Sequence, residues 1–271
     1  MLPERFQIGA AEILVGCDLD ETVRIAAGQF VAMARNRVAA SRDFCVALSG
    51  GSAPRPLFQA LASEPFASLV PWKHVQLFWG DERNVAPGDP QSNYSMADQL
   101  LLRRVAVPAE NVHRVPTGNG TAIEAANQYE QVLREKLATQ RGWPRFDLIL
   151  LGVGSNGHTA SLFPHRPTLH ESRRLVVADH IEEVGGWRVT LTLPVLNNAA
   201  QIIMLATGEE KAAVVQRVLQ GPRNPEETPA QLIAPEQGKL TWILDMAAAR
   251  ELRRHENDGK PNDVKRTRAS W

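Results

Sequence analysis

Apolar residues recur at three- and four-residue steps early in the chain. Val23, Ala26, Ala27, Phe30, Val31, Ala34 and Val38 form one stripe and predict a helix over Asp20–Ala40. A continuous apolar run, FCVALS at Phe44–Ser49, predicts a buried strand. A glycine-rich turn follows, then a short helix from Pro54, since proline suits a first helical turn. VQLFWG (Val75–Gly80) reads as a further strand, and Asn93–Arg104 as a helix with Ser92 at its N-cap. Ala122–Ala138 reads as a long helix with Tyr129, Val132, Leu133 and Leu137 on one side. The second half repeats the scheme. FDLILLGVG (Phe146–Gly154) is the most apolar strand, followed by RLVVAD (Arg174–Asp179), RVTLTL (Arg188–Leu193), QIIMLA (Gln201–Ala206) and LTWILD (Leu240–Asp245), with a helix at Glu209–Gln220. Near-continuous apolar strands spaced by helices predict an α/β fold: a mostly parallel, Rossmann-like sheet with helices on both faces. RVTLTL alternates with period two, which marks a half-exposed or antiparallel element. There is no internal repeat. One domain over residues 1–250 is expected, followed by a charged segment, 251–271, read as a frayed helix end and flexible tail.

Composition narrows the function. Thirty basic and thirty acidic residues cancel, so no global field holds a nucleic acid or an anionic membrane, and any anion site is local. Two cysteines, Cys17 and Cys45, make neither a disulfide framework nor a cysteine-rich zinc motif, and a reducing cytoplasm is the expected compartment. No apolar run reaches the ~18–20 residues that span a bilayer. Glu4, Arg5 and Glu12 interrupt the N-terminal stretch where a signal peptide needs an apolar core.

Four segments place unusual residues at strand ends, where open α/β sheets bind ligands. In LSGGSAPRPL, Ser49, Gly50, Gly51 and Ser52 join a strand to a helix. Alone, a Gly-Gly turn is structural; with flanking serines at a helix start it suits a phosphate. In FWGDERNV, Asp81 and Arg83 point to the same side if extended geometry continues. Taken alone, such a charge triplet is a solvated turn. In LLGVGSNGHTASLFPH, Gly152, Gly154 and Gly157 formally match G-x-G-x-x-G, and Asp179 ends a later strand. Pro164 and Pro167 deny that loop the full helix a dinucleotide site needs. His158, directly after the third glycine, suits a general base. Arg188 and Lys211 lie near element ends; each alone reads as a surface charge, and Lys211, in the first turn of a helix, needs exposure or an anion.

Taken together, these segments resemble the 6-phosphogluconolactonase family. GVGSNGHTASLFP is similar to its pattern GxGxDGHTASLFP, LSGGSAPRPL to its SGGSTP loop, and FWGDERNV to its WGDER segment, while RVTLTLPVLNNA and TGEEKAAVV match further blocks in order. The resemblance covers roughly residues 10–248. It implies the fold shared with glucosamine-6-phosphate deaminase and ribose-5-phosphate isomerase. SLFP, where the deaminases read FNEP, favours the lactonase branch. The implied activity is hydrolysis of 6-phosphoglucono-1,5-lactone to 6-phosphogluconate, in the oxidative branch of the pentose phosphate pathway. The implied machinery is His158 as base, Ser49–Ser52, Gly154, Arg188 and Lys211 as substrate and phosphate binders, and loop N–H groups or Arg83 as oxyanion donors. No metal or cofactor is implied, and a monomer or small homo-oligomer is expected. Two residues depart from the pattern. Asn156 replaces the usual Asp; an amide orients an imidazole or holds water but does not stabilise imidazolium by charge. Ala53 replaces the usual Thr, removing a hydroxyl. Two other readings stay open: a phosphosugar isomerase or deaminase with Asp81 as base, and a non-catalytic phosphosugar-binding regulator.

Overall fold

The computed structural model describes residues 3–140 and 142–253. In chain order the strands are β1 (Glu4–Ile8), β2 (Ala11–Gly16), β3 (Phe44–Leu48), β4 (Val75–Trp79), β5 (Asp81–Arg83), β6 (Thr139–Gln140), β7 (Trp143–Pro144), β8 (Leu148–Leu151), β9 (Val176–Ile181), β10 (Gly186–Leu191), β11 (Gln201–Ala206) and β12 (Lys239–Asp245). The helices are α1 (Leu19–Ala39), α2 (Pro54–Leu61), α3 (Phe66–Leu69), α4 (Asn93–Leu100), α5 (Ala122–Lys136), α6 (Leu193–Asn197), α7 (Ala212–Gln220) and α8 (Met246–Ala249).

Local chemistry sets the helix starts. The Asp18 side chain accepts from Glu21 N–H to begin α1, Ser92 accepts from Ser95 N–H to begin α4, and Thr121 with Glu124 forms a capping box at α5. The α1 stripe is buried as its spacing predicts, with Ala27, Phe30 and Ala34 fully covered. Phe30 meets Phe44 of β3 edge-on, ring centroids 5.3 Å apart.

The main sheet has seven strands in the order β1-β2-β12-β11-β8-β3-β4. All its neighbours pair in parallel except the β1–β2 hairpin. The connections β3–α2–β4 and β11–α7–β12 run across the sheet in opposite directions. Right-handed crossovers therefore put α2 and α7 on opposite faces. α1 packs on α2, and α8 on α7. The direction reverses between β3 and β8, so the crevice beyond their carboxyl ends is the topological switch point. Two of the sequence-predicted loops, 49–53 and 152–158, leave the sheet there.

A second, antiparallel sheet, β5-β10-β9, folds over those ends. Its middle strand carries most of RVTLTL, which is antiparallel to both neighbours as the alternation predicts. The chain passes from β4 to β5 through Gly80, whose N–H donates to Leu48 O (2.8 Å) and whose carbonyl accepts from Leu191 N–H (2.9 Å). That residue stitches the two sheets together.

Several boundaries differ from those predicted. The strand expected over 146–154 is reduced to β8, because Gly152–Gly154 turn away as loop. The helix expected over 93–104 ends at Leu100 and continues as a 3-10 turn, Leu102–Arg104. Likewise 209–220 divides into a 3-10 turn, Glu209–Lys211, and α7, so Lys211 stands at the N-cap of α7 rather than within its first turn. The N-terminal hairpin β1–β2 has no counterpart in the predicted elements. Its outer strand buries only Phe6, so no period shows. Of the predicted tail, residues 254–271 lie outside the described residues. No helix among the described residues is long and apolar enough to cross a membrane.

β4 is an edge strand of the main sheet, and its last residue is covered rather than left open. The buried Tyr129 hydroxyl accepts from Trp79 N–H (2.8 Å) and donates to Trp79 O (3.0 Å). Tyr129→Phe leaves both backbone groups dry and unpaired. The expected loss of stability is ~1–3 kcal/mol in urea unfolding; a loss indistinguishable from zero would mean that the hydroxyl contributes nothing to the edge.

Candidate active site

The loop after β8 is shaped around an imidazole. A Cβ at Gly154 would lie 2.1 Å from His158 Cε1, so the ring occupies the space a side chain there would need. Gly157 has φ +88°, which favours glycine, and its carbonyl accepts from Ala230 N–H (2.9 Å). The loop closes on itself: Gly154 N–H donates to His158 O (2.9 Å) and Gly157 N–H to Gly154 O (2.8 Å). No full helix follows, only a 3-10 turn, Pro167–His170, and Asp179 is held by Arg166 at 2.5 and 2.9 Å rather than facing a ribose. The formal G-x-G-x-x-G match is therefore a turn around His158.

Asn156 Oδ1 accepts from His158 Nδ1–H (2.6 Å) and from its backbone N–H (3.2 Å). This fixes the tautomer and leaves Nε2 as the basic nitrogen. The ring stacks on Phe163, with centroids 4.2 Å apart and planes at 15°. Burial, then the charges of Lys211, Arg188 and Arg83, push the His158 pKa down to about 4. The imidazole is thus neutral at pH 7 and equipped to accept a proton.

The loop after β3 divides its work among its residues. Ser49 Oγ donates to Leu150 O (2.6 Å), so its one proton is committed to joining the ends of β3 and β8. The expectation that the helix start donates to an anion needs correction. Pro54 and Pro56 have no N–H, and Arg55 N–H donates to Ser52 O (3.3 Å). Donors remain in the turn itself: the N–H groups of Gly50, Gly51, Ser52 and Ala53 have no acceptor among the described residues. Gly51 has φ +96°.

Three cations complete the cleft. Arg83 on β5 and Arg188 on β10 are direct cross-strand partners. Like charges so placed repel, and burial followed by Arg83 lowers the Arg188 pKa. Arg188 turns back on its own hairpin, donating to Trp187 O (3.2 Å) and Val184 O (3.3 Å). Arg83 Nη1 donates to Gln91 O, and Lys211 Nζ to Val153 O (3.0 Å). No carboxylate lies within 4.0 Å of any of the three among the described residues. Such a cluster suits an anion.

Asp81 is buried between the loops. Its carboxylate accepts from Ser161 Oγ (2.7 Å) and from Asn93 Nδ2 (3.2 Å), and burial raises its pKa. Its neighbour Glu82 is also buried and accepts from the N–H groups of Asn93 (2.7 Å) and Tyr94 (2.8 Å) and from Ser92 Oγ (3.0 Å), which caps α4. The structure thus brings Ser49, Gly50, Gly51, Ser52, Asp81, Arg83, Gly154, His158, Arg188 and Lys211 around one cleft of about 270 Å³, with exposed Asn156 behind the ring. Asn93, Ser161 and Phe163 also line it and were not singled out by the sequence; Ser92–Asn93 carried only a capping signal. No group of three or more His, Cys, Asp or Glu is placed to hold a metal ion among the described residues.

Comparison with known proteins identifies the family. Residues 18–242 match the family described as glucosamine-6-phosphate isomerases/6-phosphogluconolactonase. A 6-phosphogluconolactonase of Synechocystis is 40% identical over 209 residues, 77% of this chain and 84% of that protein. One of Haemophilus influenzae is 38% identical over 207 residues, 76% of this chain and 87% of that protein. The solved 6-phosphogluconolactonase of Trypanosoma brucei superposes with a TM-score of 0.80 at 29% identity, covering 91% of this chain and 100% of that one. A monomeric glucosamine-6-phosphate deaminase shares the fold, with a TM-score of 0.73 at 21% identity. The glycine loop closed around His158 and the cation cluster facing it thus stand in a chain that belongs to the glucosamine-6-phosphate isomerase/6-phosphogluconolactonase family.

Proposed function

We propose that the chain hydrolyses 6-phosphoglucono-1,5-lactone to 6-phosphogluconate. The observation that carries this reading is a neutral, oriented imidazole facing a cluster of cations that lack carboxylate partners. Arg188, Lys211 and the free N–H groups of the 50–53 turn hold the phosphate. Holding that remote end places the ring carbonyl beside His158, so binding energy far from the reacting bond is used for positioning. His158 Nε2 takes a proton from water as the oxygen attacks the lactone carbonyl carbon. The tetrahedral oxyanion collapses, the ring C–O bond breaks, and the imidazolium returns the proton to the departing ring oxygen.

The N–H groups of Gly154, Gly157 and His158 are spent within their loop. We assign the oxyanion to Arg83, which lines the cleft and whose remaining guanidinium donors have no acceptor among the described residues. Asp81, engaged by both Ser161 and Asn93, holds the loops rather than abstracting a carbon-bound proton. Both described cysteines are free, which suits the reducing cytoplasm where we place the reaction.

The test is hydrolysis of the phosphorylated lactone over its spontaneous background, beside glucosamine 6-phosphate as alternative substrate. Turnover of the amino sugar and not the lactone would reassign the chemistry; tight 6-phosphogluconate binding without turnover of either would make the protein a regulator.

His158→Ala is expected to lower catalysed turnover by ~10²–10⁴-fold while 6-phosphogluconate still binds. Wild-type turnover in that variant would remove the base assignment.

Arg188→Gln and Lys211→Gln are expected to weaken 6-phosphogluconate binding, each by about tenfold or more, as loss of a charge-assisted contact does. Turnover of unphosphorylated gluconolactone should change much less. Equal losses on both substrates would place these cations at the reacting carbonyl.

The pH dependence follows from the His158 environment. A base is lost on protonation, so kcat/KM, which reports the free enzyme, should hold down to about pH 4 and fall below it. Bound phosphate offsets the three cations and raises the pKa, so the acid limb of kcat should lie at higher pH than that of kcat/KM. Asn156→Asp adds a carboxylate beside Nδ1 and should move both acid limbs upward. Coincident limbs in the wild type and an unmoved profile in the variant would show that these charges do not set the basicity of His158.

A further inference from the structure

We infer that Asn93 is a positioning residue that fixes the anion-binding turn against the imidazole loop, holding Gly50 at one end and Asp81 at the other. The inference rests on the lactonase reading of the cleft.

The adjacent glycines of this turn are required for different reasons. Gly51 has φ +96°, and a Cβ there would meet nothing within 4 Å. Its glycine answers to backbone conformation. Gly50 is not among the residues with positive φ, so its backbone admits any side chain. A Cβ at Gly50 would instead lie 1.7 Å from Asn93 Oδ1 and 2.3 Å from Asn93 Cγ. Here glycine answers to the Asn93 amide, which occupies that space.

The amide has little freedom to move. Asn93 is 1% exposed. Its Nδ2 donates to Asp81 O (2.9 Å) and Asp81 Oδ1 (3.2 Å), and its backbone N–H to Glu82 Oε1 (2.7 Å). Its Oδ1 is buried with no hydrogen-bond partner among the described residues. An unpaired buried acceptor is unfavourable, and here it is retained in contact with Gly50. Helix α4 does not need this side chain, because Ser92 and Glu82 already serve its first N–H groups.

The far end of the contact reaches the base. Asp81 Oδ2 accepts from Ser161 Oγ (2.7 Å), three residues beyond His158. Gly50, Asn93, Asp81 and Ser161 thus form one packed and hydrogen-bonded path between the two loops at the switch point. The path sets the separation between the phosphate donors and Nε2, and a small misplacement of those groups is costly to catalysis.

The test compares wild type, Gly50→Ala, Asn93→Ala and the Gly50→Ala/Asn93→Ala double variant, with Gly51→Ala, alone and combined with Asn93→Ala, as controls. Calorimetry reads the affinity of each for 6-phosphogluconate and for inorganic phosphate, and an assay reads kcat on the phosphorylated lactone. Gly50→Ala is expected to weaken both ligands by on the order of tenfold to a hundredfold. Asn93→Ala should lower kcat and should restore part of the affinity lost in Gly50→Ala. It should restore none of that lost in Gly51→Ala. Losses that multiply in the double variant, or equal rescue of both glycine variants, would overturn the proposal. If Gly50→Ala does not fold, recovery of a folded, phosphate-binding double variant supports it, and a double variant that stays unfolded while Asn93→Ala folds overturns it. Phosphate affinities decide the positioning role even if the wild type hydrolyses no lactone, in which case the lactonase reading fails alone.

Discussion

β3 and β8 are paired over only two residues each, Val46 with Leu148 and Ala47 with Ile149, before the chain leaves them in opposite directions across the sheet. Everything at the cleft depends on that parting. Two adjacent parallel strands whose successors lie on opposite sides open a crevice beyond their ends that no crossover helix fills. The Ser49 hydroxyl, bonded to Leu150 O, holds the strands together at the last point before they diverge. Beyond it, one loop offers free N–H groups and the other an imidazole, so a ligand spanning the two is held by groups on separate chain segments.

The second sheet brings charge to that crevice. β5 and β10 pair over only three residues, and their register places Arg83 opposite Arg188, an arrangement that costs stability in an empty protein. Arg188 meets that cost by folding back onto the carbonyls of its hairpin, and Arg83 by binding Gln91 O. These are weak substitutes for a dianion. The site is therefore locally at odds with stability rules that the rest of the fold obeys, which is the usual physical mark of a binding site.

Much of this was legible in the sequence, and for identifiable reasons. Strands buried on both faces write themselves as apolar runs, so β3, β4, β8, β11 and β12 stood out. A loop shaped around an imidazole needs glycine where the ring lies, so Gly154 and His158 appeared as one motif. What stayed hidden depends on contacts between distant segments. β1 buries one residue and leaves no period. Pro54 looked favourable for a helix start, but together with Pro56 it also strips that start of the donors an anion needs. Asn93 looked like part of a cap because Ser92 is one; its contact with Gly50, 43 positions away in the chain, has no local signature. From the sequence Asp81 was a candidate base, whereas its neighbour Glu82 was only part of a charge triplet. Burial separates them, since Glu82 faces α4 and Asp81 faces the cleft.

The amide at position 156 acquires a physical meaning from this charge distribution. Holding an imidazole in one tautomer needs only an acceptor at Nδ1, and Asn156 Oδ1 supplies it at 2.6 Å. A carboxylate would add a negative charge that stabilises imidazolium throughout the cycle, whether or not substrate is present. With the amide, the free site contains three cations and a histidine held well below its ordinary range. On the lactonase reading, the substrate then brings its own negative charge, the phosphate, to the three cations whose field lowers the basicity of the ring. It arrives with the carbonyl to be attacked and favours the protonated ring that the reaction must pass through. On that reading, the basicity of His158 is tied to occupancy of the phosphate site. The electrostatic help that a carboxylate would give permanently is supplied only when a phosphorylated substrate is bound, so this amide discriminates for the phosphate through the chemical step as well as through binding.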